Sequence, residues 1–277
     1  MRQLRFSFIL LLLLLVSSLM AAPLKENDIE LDSLSEIQGR GEIIIAVEKD
    51  SFPWSYRDSK KRLNGYSIEV AKHIAEELGS SARFVEVDFI KLWSGLEDDS
   101  YDMAINIHSN FNVAEGQENP FDSTYKYFPV KGAVVVREDN TEITSTNDLW
   151  DNYVATPVDP VYIKLANRYN ALCIGIKDAG EMFSLVENGT VAASICPIET
   201  VTKYLSENKN APFKIVAATK DVGDALSFQI KKGEGSKDLK RSVNKAILKL
   251  RRKGILSELS IKHFGYDFFS TTTDNEE

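Results

Sequence analysis

Cysteine and histidine are scarce in this chain, with two of the first and three of the second in 277 residues. Two cysteines cannot staple a disulfide-built scaffold, and neither has the CxxC or Cys/His spacing of a zinc or redox site. Cys173 and Cys196 both fall on candidate strands of one region. A bridge between them and two separate buried thiols are both compatible with that placement. No Ser/His/Asp set, phosphate-binding glycine loop or metal-ligand cluster stands out, so no cofactor and no metal are expected, and no catalytic residue is nominated. Positive charge is also short. Lysine and arginine total 33 against 41 acids, for a formal charge of −8. Such a balance argues against nucleic acid and anionic lipid as partners and mildly favours cationic or neutral ligands.

Long hydrophobic runs are absent with one exception. Residues 1–23 place Arg2 and Arg5 before an apolar core at 8–16 and then small residues. That order is the order of a secretory signal, and the core is shorter than the ~20 residues a bilayer span needs. The expectation is a leader at 1–22 ending at Ala21 or Ala22, a periplasmic location and no stable membrane insertion. Loss of its two arginines takes the formal charge to −10. The site has no cysteine that would carry a lipid anchor.

The full 277-residue chain has 43% hydrophobic and 27% charged residues, ordinary for a folded globular protein. GEIIIAV at 41–47 reads as a buried strand. In GYSIEVAKHIAEELG, Ile68, Ala71, Ile74, Ala75 and Leu78 recur at helical spacing, with Ser67 as expected N-cap and Gly79 as stop. ARFVEV, KLWSGLED and YDMAINI continue as strand, short helix and strand, which implies a parallel sheet covered by helices. GAVVVRE, DNYVAT, a helix opened by Asp159-Pro160, LCIGI, AGEMFSLVENG and VAASI repeat the theme. ALSFQI is one more strand, and residues 236–265 read as two helices broken at Gly254, the first with a basic outer face. Residues 265–277 read as a polar tail.

Several phrases taken together resemble the family 3 bacterial extracellular solute-binding proteins. They are LNGYSIEVAKHIAEELG, LWSGLEDDSYDMAI, PFDSTYKYFPVKGAVVVRED, VENGTVAAS and the closing SKDLKRSVNKAILKLRRKGILSELSIKHFG, which span most of the chain in the family's order. The resemblance implies a type II periplasmic binding protein fold, α/β, with two lobes, mixed sheets and two inter-lobe crossovers. Lobe 1 would be 23–130 plus 225–264, and lobe 2 would be 131–224. It also implies a monomer that takes a small polar ligand in the cleft between lobes and delivers it to a membrane permease for ABC-type uptake.

The family's carboxylate clamp is missing. Amino-acid-binding members hold the ligand carboxylate with an arginine in the loop after the YD strand, because a guanidinium fork matches two carboxylate oxygens. In ungapped register that position is Ala114, and one residue on it is Glu115; no arginine occurs between Phe84 and Val136. Where the family has a Gly-Thr or Gly-Ser turn, this chain has Val158-Asp159, and Asp159 also suits a helix cap. Pro197 occupies the place of the acid that meets the ligand ammonium, with Glu199 two residues on. Arg168 and Lys126 are the candidate replacement cations. The expected ligand-binding residues are Trp54, Phe89, Asn106, His108, Ser109, Asn110, Asp159 and Glu199, with Asn112 nearby. His73 is expected at the surface and His263 in the closing segment.

Three functions follow in order: a binding protein for an amino-acid-like, cationic or neutral polar solute; a degenerate binding-protein fold serving as a periplasmic interaction partner; and a dehydratase, which some family members are. The missing clamp counts against the last.

Overall fold

The computed structural model describes residues 32–89, 91–108, 120–220 and 225–270, with the side chains of 106–108 outside the description. In chain order, helix α1 (Ser33–Arg40) leads into strand β1 (Glu42–Glu48), the short hairpin β2 (Tyr56–Arg57) and β3 (Leu63–Asn64), and helix α2 (Tyr66–Glu77). Then come β4 (Ser81–Val87), α3 (Lys91–Glu97), β5 (Met103–His108), β6 (Phe121–Ser123) and β7 (Phe128–Pro129). The next set is β8 (Gly132–Arg137), β9 (Tyr153–Pro157), α4 (Pro160–Arg168), β10 (Leu172–Ile176), α5 (Ala179–Glu187), β11 (Ala193–Pro197), α6 (Ile198–Glu207) and β12 (Phe213–Ala218). The chain continues with β13 (Ala225–Lys231), α7 (Lys237–Arg252) and α8 (Ile255–Phe264).

Two mixed sheets result. The first has the order β4-β1-β5-β13-β6, with β7 also on β13, and the second has the order β10-β9-β11-β8-β12. The chain therefore enters the second sheet after β7 and returns to the first between β12 and β13. Strands β1, β4 and β5 are parallel, as are β9, β10 and β11, while β13 and β8 run against them. Both faces of each sheet are covered. In β8, Ala133 and Val135 join the large core that holds α2, α5, α7 and α8 residues, whereas Val134 and Val136 join Tyr162, Leu165 and Ala166 of α4. The period-two alternation of a strand sends successive side chains to opposite faces. Ala46, Ala104, Leu92, Leu96 and Phe121 close the other face of the first sheet.

The expected buried positions of α2 are all in the core, and Gly79 ends the helix with φ 74°. Ser67 is not the N-cap. The cap is Gly65, two residues earlier, so the helix begins at Tyr66, and Ser67 is buried with its hydroxyl 3.0 Å from that of Tyr127. The reason is a tight approach: the amides of Tyr66 and Ser67 donate to the carbonyls of Pro53 and Trp54. Only a residue without Cβ fits beside that turn, and Gly65 has φ 130°. Asp159, in contrast, does cap α4, accepting from the Val161 amide at 2.8 Å, with Pro160 in the first turn. Gly254, at φ 76°, separates α7 from α8. Strand β12 is absent from the pattern reading because FKIVAA bears a register shift between Ile215 and Ala217, which breaks its alternation. Cys173 and Cys196 are both free thiols, and burial pushes Cys196 up to about 12.

His73 is partly exposed, 3.4 Å from Glu76. His263 instead sits in a charged joint between α2 and α8. Its Nε2 is 2.9 Å from Glu69, whose other oxygen accepts from Lys262 Nζ at 2.6 Å. Burial lowers the His263 pKa against the opposing pull of Glu69. Burial pushes Glu69 up, but Lys262 and His263 outweigh it and leave the carboxylate below its usual range. Both folded values lie below the unfolded ones, so both contributions are present at neutral pH and are lost on acidification. Stability to urea should fall as pH drops below the ordinary histidine value of 6.5, and further below the ordinary glutamate value of 4.5. His263→Gln should flatten the upper part of that decline. A variant with an unchanged slope between pH 7 and 5 would remove His263 from this account.

Candidate functional site

In open α/β sheets, ligands lie beyond the carboxyl ends of parallel strands. On the first sheet these ends carry three segments. The turn after β1 holds Ser51 to Ser55, including a cis Phe52–Pro53 bond and Trp54. Residues after β4 include Asp88 and Phe89, tied to the first turn by Lys49, whose amide donates to the Val87 carbonyl and whose Nζ is 3.5 Å from Asp88. The third segment follows β5 and lies outside the described residues.

On the second sheet, the carboxyl ends of β9, β10 and β11 lead almost directly into helices. Asp159 caps α4, Asp178 caps α5 by accepting from the Glu181 amide at 2.9 Å, and Glu199 stands in the first turn of α6. Each acid faces the positive end of a helix dipole, which favours a carboxylate there. The three turns thus bring negative charge to one end of the sheet.

Trp54 and Glu199 meet. The indole Nε1 donates to Glu199 Oε1 at 3.0 Å, joining two residues 145 positions apart that follow strands of different sheets, Trp54 after β1 and Glu199 after β11. Trp54 is 6% exposed. Its ring lies edge-on to Phe128 at 4.9 Å and Tyr66 at 5.9 Å, and tilted against Phe264 at 5.1 Å. Most of its surface is therefore packed against protein, and the N–H is the part directed at the second sheet. Phe89 is 44% exposed and makes an edge contact with Trp93 at 6.3 Å. Asn106 and His108 lie on β5, where His108 pairs in register with Leu226, but their side chains are outside the description. Ser109, Asn110 and Asn112 lie outside the described residues altogether, as do Ala114 and Glu115.

The pattern reading missed Tyr162. It sits one turn into α4, buried; burial raises its hydroxyl pKa, and the charges of Glu199 and Asp159 raise it further. That response places one phenol close to both acids. The signal was present, since a tyrosine three positions after an N-cap returns to the same end of the helix. Arg168, one of the two suggested replacement cations, is exposed in the last turn of the same helix. Nine helical residues span about 13 Å, so it stands at the opposite end from Asp159. Lys126 is exposed between β6 and β7, and its carbonyl accepts from Arg251 at 2.8 Å. Lys177, which sequence reasoning passed over, follows β10 immediately before Asp178 and brings a cation to the acidic end.

Chemically, this arrangement offers carboxylates, a phenol and aromatic surface. Among the described residues no group of three or more histidine, cysteine or acidic side chains is arranged to hold a metal ion. Nor is any described helix long and apolar enough to cross a membrane.

Comparison with known proteins agrees with the fold. The family model described as bacterial extracellular solute-binding proteins, family 3, matches residues 43–266. The L-cystine-binding protein TcyA of Bacillus subtilis is 27% identical over 244 residues, 88% of each chain. The L-cystine solute receptor of Neisseria gonorrhoeae, solved unliganded and open, superposes with a TM-score of 0.67 at 24% identity, covering 86% of this chain and 99% of that one. An ancestral cyclohexadienyl dehydratase gives a TM-score of 0.69 at 22% identity over 84% of this chain and 97% of its own, a likeness of fold alone. With two helix-covered mixed sheets joined by two crossings and a family match over most of its length, this chain belongs to the bacterial extracellular solute-binding proteins of family 3.

Proposed function

We propose that this solute-binding protein takes an amino-acid-like molecule bearing an ammonium group between its two sheets, with Glu199 as the acid that receives the ammonium, and presents it to an ABC-type permease. The observation that carries the reading is the 3.0 Å hydrogen bond from Trp54 to Glu199. It holds a carboxylate in the first turn of α6, two residues past Pro197, where the family's acid is displaced. A carboxylate there is oriented by a neutral donor and keeps the negative charge that attracts an ammonium group. Asp159 and Asp178 add negative charge at the same end, and Tyr162 adds a hydroxyl. Curated relatives that bind L-cystine make that amino acid the first ligand to test. The relatives are binding proteins, which supports a carrier and not a catalyst. Lobe boundaries at 130/131 and 224/225, for which the sheet membership of β7, β8, β12 and β13 is the support, and export with leader removal are parts of the same proposal.

A thermal-shift titration against L-cystine, the common amino acids and small diamines tests it. A ligand at 100 times its Kd stabilises by about 2.7 kcal/mol, a rise of several degrees. Glu199→Gln keeps an oxygen that accepts from Trp54 but loses the charge. Its melting temperature without ligand should stay within about 2 °C of the parent, while affinity for the ammonium-bearing ligand falls tenfold or more, equivalent to about 1.4 kcal/mol. Unchanged affinity in Glu199→Gln would remove the residue from the site. A panel with no stabilising ligand would overturn the proposal.

A further inference from the structure

Helix α7 carries charge opposite to the rest of the chain. Its sixteen residues hold seven cations and one acid, in a protein of formal charge −8. The buried residues Leu239, Val243, Ala246, Ile247 and Leu250 form one stripe that joins the large core beside α1, α2 and α8. At 3.6 residues per turn, Lys237, Arg241, Lys245, Leu248 and Arg252 fall within a sector of roughly 80° on the opposite side. All five are exposed. They line the outer surface for about 22 Å. Beside them, next to strand β6 at the edge of the first sheet, is a hollow of about 480 Å³, bounded by Asp122, Tyr125, Lys240, Arg241, Lys245 and Leu248 among others. Leu248 is 41% exposed and Tyr125 52%.

The nearby acids do not cancel this face. Lys240 pairs with Asp122 at 3.1 Å, Lys237 with Glu234 at 2.5 Å, and Arg241 with Asp238. Exposed pairs of this kind are weak and leave the local field positive. Lys245 and Arg252 enter no ion pair among the described residues. Net charge is a property of the whole chain, whereas a surface feels what lies within a Debye length, about 8–10 Å at ordinary ionic strength. The whole-chain argument against anionic partners therefore does not extend to α7.

From this we infer that the outer face of α7 is a peripheral docking surface for anionic phospholipid, with headgroup phosphates on the Lys237–Arg252 stripe and Tyr125 and Leu248 at the polar–apolar boundary. Cations in a straight exposed row beside a half-exposed tyrosine and leucine match a charged interface that is polar outside and apolar beneath. Lysine stems also extend along such a boundary while their ammonium groups stay in water. The inference is independent of what occupies the space between the sheets. It places a carrier of this family on the membrane beside which its permease partner would stand.

The protein, purified in the form the producing cell exports, is sedimented with vesicles of phosphatidylcholine alone or with one third phosphatidylglycerol. Binding should require the anionic lipid and collapse between 0.05 and about 0.5 M salt, where the Debye length falls below about 5 Å. The triple variant Arg241→Gln, Lys245→Gln, Arg252→Gln should bind roughly 100-fold more weakly, about a fivefold factor for each cation removed. Arg241→Lys should bind as the parent does, and an unaltered circular dichroism melt keeps the triple variant interpretable. Equal binding to both vesicle types, no binding to either, or parent-like binding by the triple variant would each overturn the inference. Binding of an acidic protein in the absence of any lipid response would do so as well.

Discussion

Gly65→Ala melts roughly 10 °C below the parent protein, and its ligand response weakens with it: this is the largest single-residue effect the structure leads us to expect. A Cβ at position 65 would overlap the Trp54 carbonyl and come within 2.9 Å of the Ser55 amide nitrogen. Both obstacles are backbone and cannot swing aside. The φ of 130° at this position is itself closed to alanine. Relief requires the Trp54 turn to move off α2, breaking the amide bonds from Tyr66 and Ser67 to Pro53 and Trp54. Strain at such a site costs about 3–5 kcal/mol. For a domain of this size each kcal/mol corresponds to about 2–4 °C. Because the same turn aims the indole at Glu199, the loss should extend to ligand affinity. A melting temperature within about 3 °C of the parent would mean that the turn is softer than its geometry implies.

The second large effect is at Trp54 itself. Trp54→Ala opens a cavity among Tyr66, Phe128 and Phe264, and truncation of a buried aromatic of this kind costs about 3–5 kcal/mol. It also leaves the partly buried Glu199 without its indole donor. Trp54→Phe separates the two contributions. Phenylalanine retains much of the ring contact and removes the N–H, so its cost should be near the 1.5–3 kcal/mol of a hydrogen bond to a charged group. Chemical denaturation of both variants gives the comparison. If Trp54→Phe were as damaging as Trp54→Ala, the hydrogen bond and not the packing would dominate. If Trp54→Phe were neutral, the contact with Glu199 would add nothing to stability. Either result bears on whether ligand competes with the indole for that carboxylate.

The sequence pattern was most informative where side-chain periodicity is strong and burial is one-sided or complete. The runs at β1, β9 and β13 and the helical spacing of α2, α4 and α7 are of this type. Asp159 followed by Pro160 located a helix start because capping is a local interaction between a side chain and amides two residues on. Local signals failed at the start of α2, where Ser67 offers good cap chemistry but Gly65 does the work. The winning factor there is a close approach by the Trp54 turn, which lies eleven residues before Gly65 in the chain and leaves no mark on the spacing around Ser67. Strands β2, β3, β6 and β7 are two or three residues long, too short for any periodicity to register.

For the site, residue type identified Trp54 and Glu199 separately as ligand-binding candidates, a role that asks Trp54 for an open ring face. In the fold that face is covered by three aromatic rings and the nitrogen edge reaches the other sheet. Tyr162 was overlooked because its significance comes from two acids, one of them 37 positions away.

The sequence by itself determined the α/β plan, the order of most of its strands and helices along the chain, the family resemblance and the lack of any arginine between Phe84 and Val136, because these depend on composition, spacing and motif order. Only the tertiary structure decided that the Trp54 indole donates to Glu199, that Tyr162 comes near that same acid, and that the basic face of α7 lies beside Tyr125 at the edge of the first sheet. Those facts depend on which distant segments the sheets bring together and on the angle at which each helix is laid down. No window of neighbouring residues contains that information.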